Sequence, residues 1–168
     1  MKKHSLSLAV VLFIHWICVG QNEANLRKEL SILNPLVGKT WISEMKDPSG
    51  QNVLHLLRRY EFMHDGKIIK IYQECKELNN QMDGYYYYDP DKKEIACLTL
   101  TNNGNITIGN VKEEDGRLLL YGYVIFADRK LEFKNTFELT SKGEVIDKYF
   151  RLENGEWKAG HSRVWAVK

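Results

Sequence analysis

Residues that do chemistry are scarce in this sequence. Of its five histidines only His55, His64 and His161 lie beyond residue 20, and no metal-ligand spacing connects them. A nucleophile elbow, a phosphate-binding glycine loop and a zinc-type cysteine pattern are all missing. These absences assign no catalytic residue and no metal ligand, and they point away from an enzyme. An excess of one charge is missing too. Lysine and arginine number 24 against 22 acidic residues, and with Lys2 and Lys3 set aside in the N-terminal segment the signs balance at 22 each. No long basic run disturbs that balance, so nothing marks a nucleic-acid-binding surface. Prolines number only three, and no linker-like Pro, Gly or Ser stretch divides the chain. Residues 21–168 therefore read as one domain, long enough to bury a hydrophobic core.

Long apolar runs are confined to the N-terminus. Lys2 and Lys3 make a basic start, Leu6 to Ile14 a short apolar run, and Cys18-Val19-Gly20 supplies small residues before a cut. This is the pattern of a secretory signal peptide, residues 1–20, cleaved near Gly20-Gln21, and it predicts a secreted or periplasmic protein. The run falls short of the roughly 20 apolar residues that span a bilayer. No second candidate follows, so no membrane span is expected after cleavage. Cys18 raises lipidation as an alternative, but His15-Trp16-Ile17 lacks the small residues such a site needs before its cysteine.

What the chain does have is turns. His64-Asp65-Gly66, Asn79-Asn80-Gln81, Asp89-Pro90-Asp91, Asn102-Asn103-Gly104, Glu114-Asp115-Gly116, Ala127-Asp128-Arg129, Ser141-Lys142-Gly143 and Glu153-Asn154-Gly155 recur at near-regular spacing. Asn-Gly and Asp-Gly supply the positive φ angles of tight hairpins, so each break folds one antiparallel strand onto the next. Ten strands are predicted, over 39–46, 53–63, 67–78, 82–89, 93–101, 105–112, 117–126, 130–140, 144–153 and 156–167. In the eighth, Leu131, Phe133, Phe137 and Leu139 share a face opposite Glu132, Lys134, Thr136 and Glu138, as in a half-buried strand. An open sheet of this size would leave two vulnerable edges, and closure into an up-and-down barrel removes them. The expected fold is all-β, a single antiparallel barrel of about ten strands whose interior is wide enough for a ligand unless large side chains fill it. Ahead of it, Leu26, Leu30 and Leu33 predict a short amphipathic helix over 22–34, stopped by Pro35 and laid over one barrel opening.

Cys75 and Cys97 fall on strands separated by one other, two spacings of about 4.8 Å apart. A disulfide needs Cα atoms within roughly 4.4–6.8 Å. Free, buried thiols are expected. Asn105-Ile106-Thr107 matches a glycosylation acceptor but reads more simply as the start of a strand.

The segment Leu33-Asn34-Pro35-Leu36-Val37-Gly38-Lys39-Thr40-Trp41 resembles the opening of the calycin superfamily, where a helical turn leads into a glycine and a tryptophan on the first barrel strand. With Asp65-Gly66-Lys67 and Gly155-Glu156-Trp157-Lys158-Ala159-Gly160-His161, the chain is similar to secreted bacterial proteins of unknown function with calycin-like barrels. Lipocalins usually show Gly-x-Trp, whereas here two residues, Lys39 and Thr40, separate Gly38 from Trp41. The lipocalin resemblance implies an arginine from the last strand covering the tryptophan, and Arg163 is the match, making Trp41 and Arg163 a structural clasp. Nitrobindin, another calycin branch, implies a haem-binding role for His161, although the glycine-rich continuation after the tryptophan is missing.

Alternation along the last strand puts Trp157, Ala159, His161, Arg163, Trp165 and Val167 on one face. An inward arginine needs a carboxylate, with Glu44, Glu61 and Asp147 as candidates. His161 and Arg163 then either anchor an acidic head group or form a paired internal cluster. Arg58 shares its face with Leu54, Leu56, Tyr60 and Phe62, so it points inward and Arg59 outward; an internal Arg58 suits a ligand carboxylate. In Tyr85-Tyr86-Tyr87-Tyr88, Tyr86 and Tyr88 share one side and either line a cavity or simply pack. The ligand-site candidates are thus Arg58, Tyr60, Tyr86, Tyr88, His161 and Arg163. The expected function is an exported, non-enzymatic barrel binding a small hydrophobic or amphipathic ligand without a cofactor. The alternatives are an envelope interaction protein with a filled barrel, and a haem-binding or enzymatic barrel using His161.

Overall fold

The computed structural model describes residues 27–168 apart from residues 48 and 128. The signal-peptide reading, Cys18 and the first part of the expected helix lie outside the described residues. Ten strands follow a 3₁₀ helix at Lys28–Leu36: β1 (Thr40–Lys46), β2 (Val53–Met63), β3 (Ile68–Cys75), β4 (Asn80–Asp89), β5 (Glu94–Thr101), β6 (Ile106–Glu114), β7 (Arg117–Phe126), β8 (Arg129–Leu139), β9 (Val145–Glu153) and β10 (Glu156–Val167). Each pairs antiparallel with its sequence neighbours, and β1 meets β10 to close an up-and-down barrel. The hairpin punctuation works as its chemistry requires. Asp115-Gly116 and Asn154-Gly155 are complete two-residue connections with both φ angles positive, between 52° and 81°, the geometry that matches strand twist. Most boundaries fall within two residues of expectation, and the largest difference is at the end of β3. β3 ends at Cys75, because Lys76–Leu78 forms a short 3₁₀ turn closed by Asn79 in the left-handed region.

The N-terminal helix is also tighter than expected, and Pro35 lies inside it rather than stopping it. The reason is the leucine spacing. Leu30, Leu33 and Leu36 recur every three residues, which aligns them on one face only at three residues per turn. All three are buried in the same core cluster as Trp41, Tyr60, Ile69 and Trp165, each burial worth about 1.5–3 kcal/mol. Backbone bonds pin this cap to the barrel rim: Arg27 N–H donates to Gly66 O at 3.1 Å, and Gly38 N–H to Tyr60 O at 3.0 Å. The Trp41 indole N–H donates to Leu36 O at 2.9 Å.

Alternation holds in β4 and in β2 as far as Tyr60; Phe62, expected on the inward face, is exposed near the end of β2. Leu54, Leu56, Arg58 and Tyr60 are buried while His55 and Arg59 are exposed, and Tyr86 is buried between exposed Tyr85 and Tyr87. In β10 it breaks. Ala159 pairs with Phe150 but Ser162 with Lys148, so one extra residue bulges between them and the face reverses. Trp157 and Ala159 therefore point outward, Trp157 beneath Lys134 at 4.6 Å, whereas His161, Arg163 and Trp165 point inward. Gly160 occupies the bulge, where a Cβ would come within 2.6 Å of Tyr149 Cδ1.

Closure is uneven. β1 pairs with β2 from Thr40–Arg59 to Lys46–Val53, but with β10 only at Trp41–Val167 and Ile42–Ala166. Beyond Ile42, moving away from the helical cap, the two strands part.

Candidate functional site

Arg58, carried inward by the regular alternation of β2, sits at the centre of a buried polar cluster. Its Nε and Nη2 donate to Gln73 Oε1 on β3 at 2.9 and 2.6 Å, and Nη1 reaches Tyr60 Oη at 3.4 Å and Asp147 Oδ2 at 3.5 Å. The guanidinium lies over the Trp165 ring at 4.2 Å, and the Trp165 indole N–H donates to Asp147 Oδ2 at 3.1 Å. Asp147 is fully buried. Burial alone would raise its pKa, but the contacts from His161, Arg58 and Trp165 outweigh that and hold the carboxyl well below the usual carboxylate range. Arg58, Asp147 and Trp165 thus bind β2, β9 and β10 into one unit.

An arginine–indole clasp exists, but not between Trp41 and Arg163 as the lipocalin resemblance implied. Trp41 pairs with Val167, four residues along β10 from Arg163. At about 3.3 Å per residue that is about 13 Å, too far to stack. The cation over Trp41 is Lys39, at 5.5 Å, and the stacked arginine is Arg58 on Trp165.

Below this cluster, toward the end opposite the helical cap, the barrel interior holds a cavity of about 170 Å³ lined by Arg58, Ile71, Met82, Tyr86, Thr99, Thr107, Leu120, Val124, Phe133 and Tyr149. Tyr60 does not line it but packs beside Tyr86, ring centroids 6.3 Å apart. Tyr88 sits toward the cap, under the Arg27 guanidinium at 4.6 Å. Cys75 and Cys97 are free and buried. Burial pushes the Cys97 thiol up to about 12, despite a hydrogen bond from Tyr86, and pushes the Cys75 thiol up as well. Neither supplies a thiolate at neutral pH.

His161 and Arg163, placed together by the sequence, do meet. Arg163 Nη2 donates to His161 Nδ1 at 3.2 Å; a guanidinium only donates, so the ring proton sits on Nε2, which faces Asp147 Oδ1 at 3.7 Å. The imidazole stacks on Tyr149, centroids 5.1 Å apart. Sequence reasoning left Gln73 unnoticed, although a polar residue sharing the face of Ile69, Ile71 and Cys75 is a readable sign of an internal partner. It also missed Met82, Thr107 and Val124, whose part in the cavity depends on how far the neighbouring side chains fill the barrel. Among the described residues no group of His, Cys, Asp or Glu is arranged to hold a metal ion, and no helix is long and apolar enough to cross a membrane.

Fold and site together define a closed ten-stranded antiparallel barrel, capped at one end, with a buried arginine–aspartate–tryptophan hub. No family model and no curated protein sequence matches the chain. Among solved structures it is similar to the crystal structure of Rv2717c from M. tuberculosis, with a TM-score of 0.55 over 86% of this chain and 99% of that one, at 14% identity. At that identity the likeness is one of fold.

Proposed function

We propose that the protein is an exported, calycin-like barrel that performs no chemistry and binds a small hydrophobic or amphipathic ligand in its interior. The observation that carries this reading is the cavity of about 170 Å³, apolar on Ile71, Met82, Leu120, Val124 and Phe133 and with hydroxyls from Tyr86, Thr99 and Thr107. A cavity of about 150 Å³ accommodates benzene, so the ligand would be a single ring or a short chain. Arg58 is committed to Gln73, Asp147 and Trp165, which makes it part of the cavity floor rather than a free anion receptor. Both ring nitrogens of His161 face protein groups, so the reading includes no haem.

Titration of the protein with phenol, indole and toluene, followed by methyl NMR at Met82, is the test. At least one probe should shift that resonance, and Val124→Trp, which fills the cavity, should abolish the response. Unmoved resonances with all three probes, and no added mass in native mass spectrometry of protein from its own source, would overturn the reading.

A further inference from the structure

Where β1 and β10 part, the wall of the barrel carries a second and larger void, of about 920 Å³. No register pair joins Ser43–Lys46 to β10. Ile42, Leu57, Val164 and Ala166 line the void from the outer face of their strands, and Ile42 and Val164 are exposed apolar side chains. Ser43, Leu56 and Arg163 line it too, yet they belong to the inward-facing alternation, and Ser43 and Leu56 are each only 5% exposed. Residues of both faces of the wall thus border one void at the seam. No residue lines both this void and the interior cavity.

Two polar groups at the seam are unsatisfied. Ser43 Oγ and Arg163 Nε are buried without a hydrogen-bond partner. Arg163 has no carboxylate within 4.0 Å among the described residues, because the nearby Asp147 is held by Arg58 and faced by His161. Burial lowers the Arg163 pKa, and Arg58 adds repulsion that the Asp147 charge opposes; a guanidinium nonetheless stays charged at neutral pH. A half-buried charge left without a partner is costly, and the void brings a partner within reach. The outer rim carries Arg59, Lys76 and Lys168 against Glu44, Glu74 and Glu77, and His55 draws off two of those acids, Glu77 at 2.6 Å and Glu44 at 3.6 Å.

We propose that this seam is a second binding site, which takes a small amphipathic acid with its carboxylate against the Arg163 guanidinium and its alkyl part along Ile42, Leu57, Val164 and Ala166. A charge-assisted bond to a half-buried arginine contributes about 1.5–3 kcal/mol, or about 10- to 100-fold in affinity. The site stands apart from the interior cavity and does not depend on what that cavity holds.

Octanoate and 1-octanol share a chain and differ in the head group, so titrating the full chain with each separates charge recognition from greasy contact. Octanoate should bind at least tenfold more tightly and shift the backbone amides of Ser43, Val164 and Ala166. Arg163→Met should remove that preference, and Val164→Glu, a surface change that leaves the core intact, should weaken octanoate several-fold while sparing octanol. Val124→Trp should leave octanoate binding unchanged, which keeps this test distinct from that of the interior cavity. Equal affinities for the two probes, octanoate shifts confined to Met82 and Tyr86, or a Val164→Glu protein that binds octanoate as before would each overturn the proposal.

Discussion

Arg58 and Arg163 face the same interior with opposite circumstances. Arg58 has an acceptor on Gln73, a carboxylate on Asp147 and an indole beneath it, whereas Arg163 spends one nitrogen on His161 and leaves Nε bare. The inward direction of Arg58 and of Tyr86 was legible, because alternation on a regular strand fixes the face. Which arginine would find the carboxylate was not, since that depends on the register between β2 and β9, strands that never touch in sequence or in the sheet. Asp147→Ala should destabilise the protein by about 3–5 kcal/mol, the cost of leaving a buried partner uncompensated, as measured by urea denaturation. The pH dependence has a definite sign. The folded-state pKa of Asp147 lies below its unfolded value, so its contribution is complete above about pH 4 and is lost as the pH falls further. Stability measured in that acid window should fall less steeply in Asp147→Asn than in the parent.

At the scale of elements, one bulge separates what the sequence could tell from what it could not. Strict alternation groups Trp157 and Ala159 with His161, Arg163 and Trp165, and the extra residue before Ser162 divides them. Gly160 was the available sign, since an interior glycine in a strand marks a bulge or a close approach. The leucine spacing before β1 was a comparable sign, three residues rather than the three-and-four of an α-helix. Gly160→Ala should cost about 1–3 kcal/mol by driving a Cβ into the Tyr149 ring. Thermal melts give the loss, and the His161 ring resonances should move with it, because Tyr149 is the surface on which that imidazole stacks.

For the whole molecule, the hairpin turns made ten strands readable, because each Asn-Gly or Asp-Gly break settles one local pairing, and closure followed from the two edges an open sheet would leave. The pairing of β1 with β10 has no turn to announce it, and so neither the seam nor its void was visible in the sequence. That contact also belongs to a different moment in the life of the chain. Trp41 and Val167 lie at opposite ends of the described sequence, and the loop between them carries the largest closure entropy in the barrel, so they meet after the hairpins have formed. Trp41 also holds the helical cap through Leu36. Trp41→Phe should therefore speed unfolding in stopped-flow experiments while leaving the refolding rate nearly unchanged. The ring is a chain of hairpins in time as well as in space: the link expected to close last is the one whose loss should open it, and the Trp41 indole is where that expectation is tested.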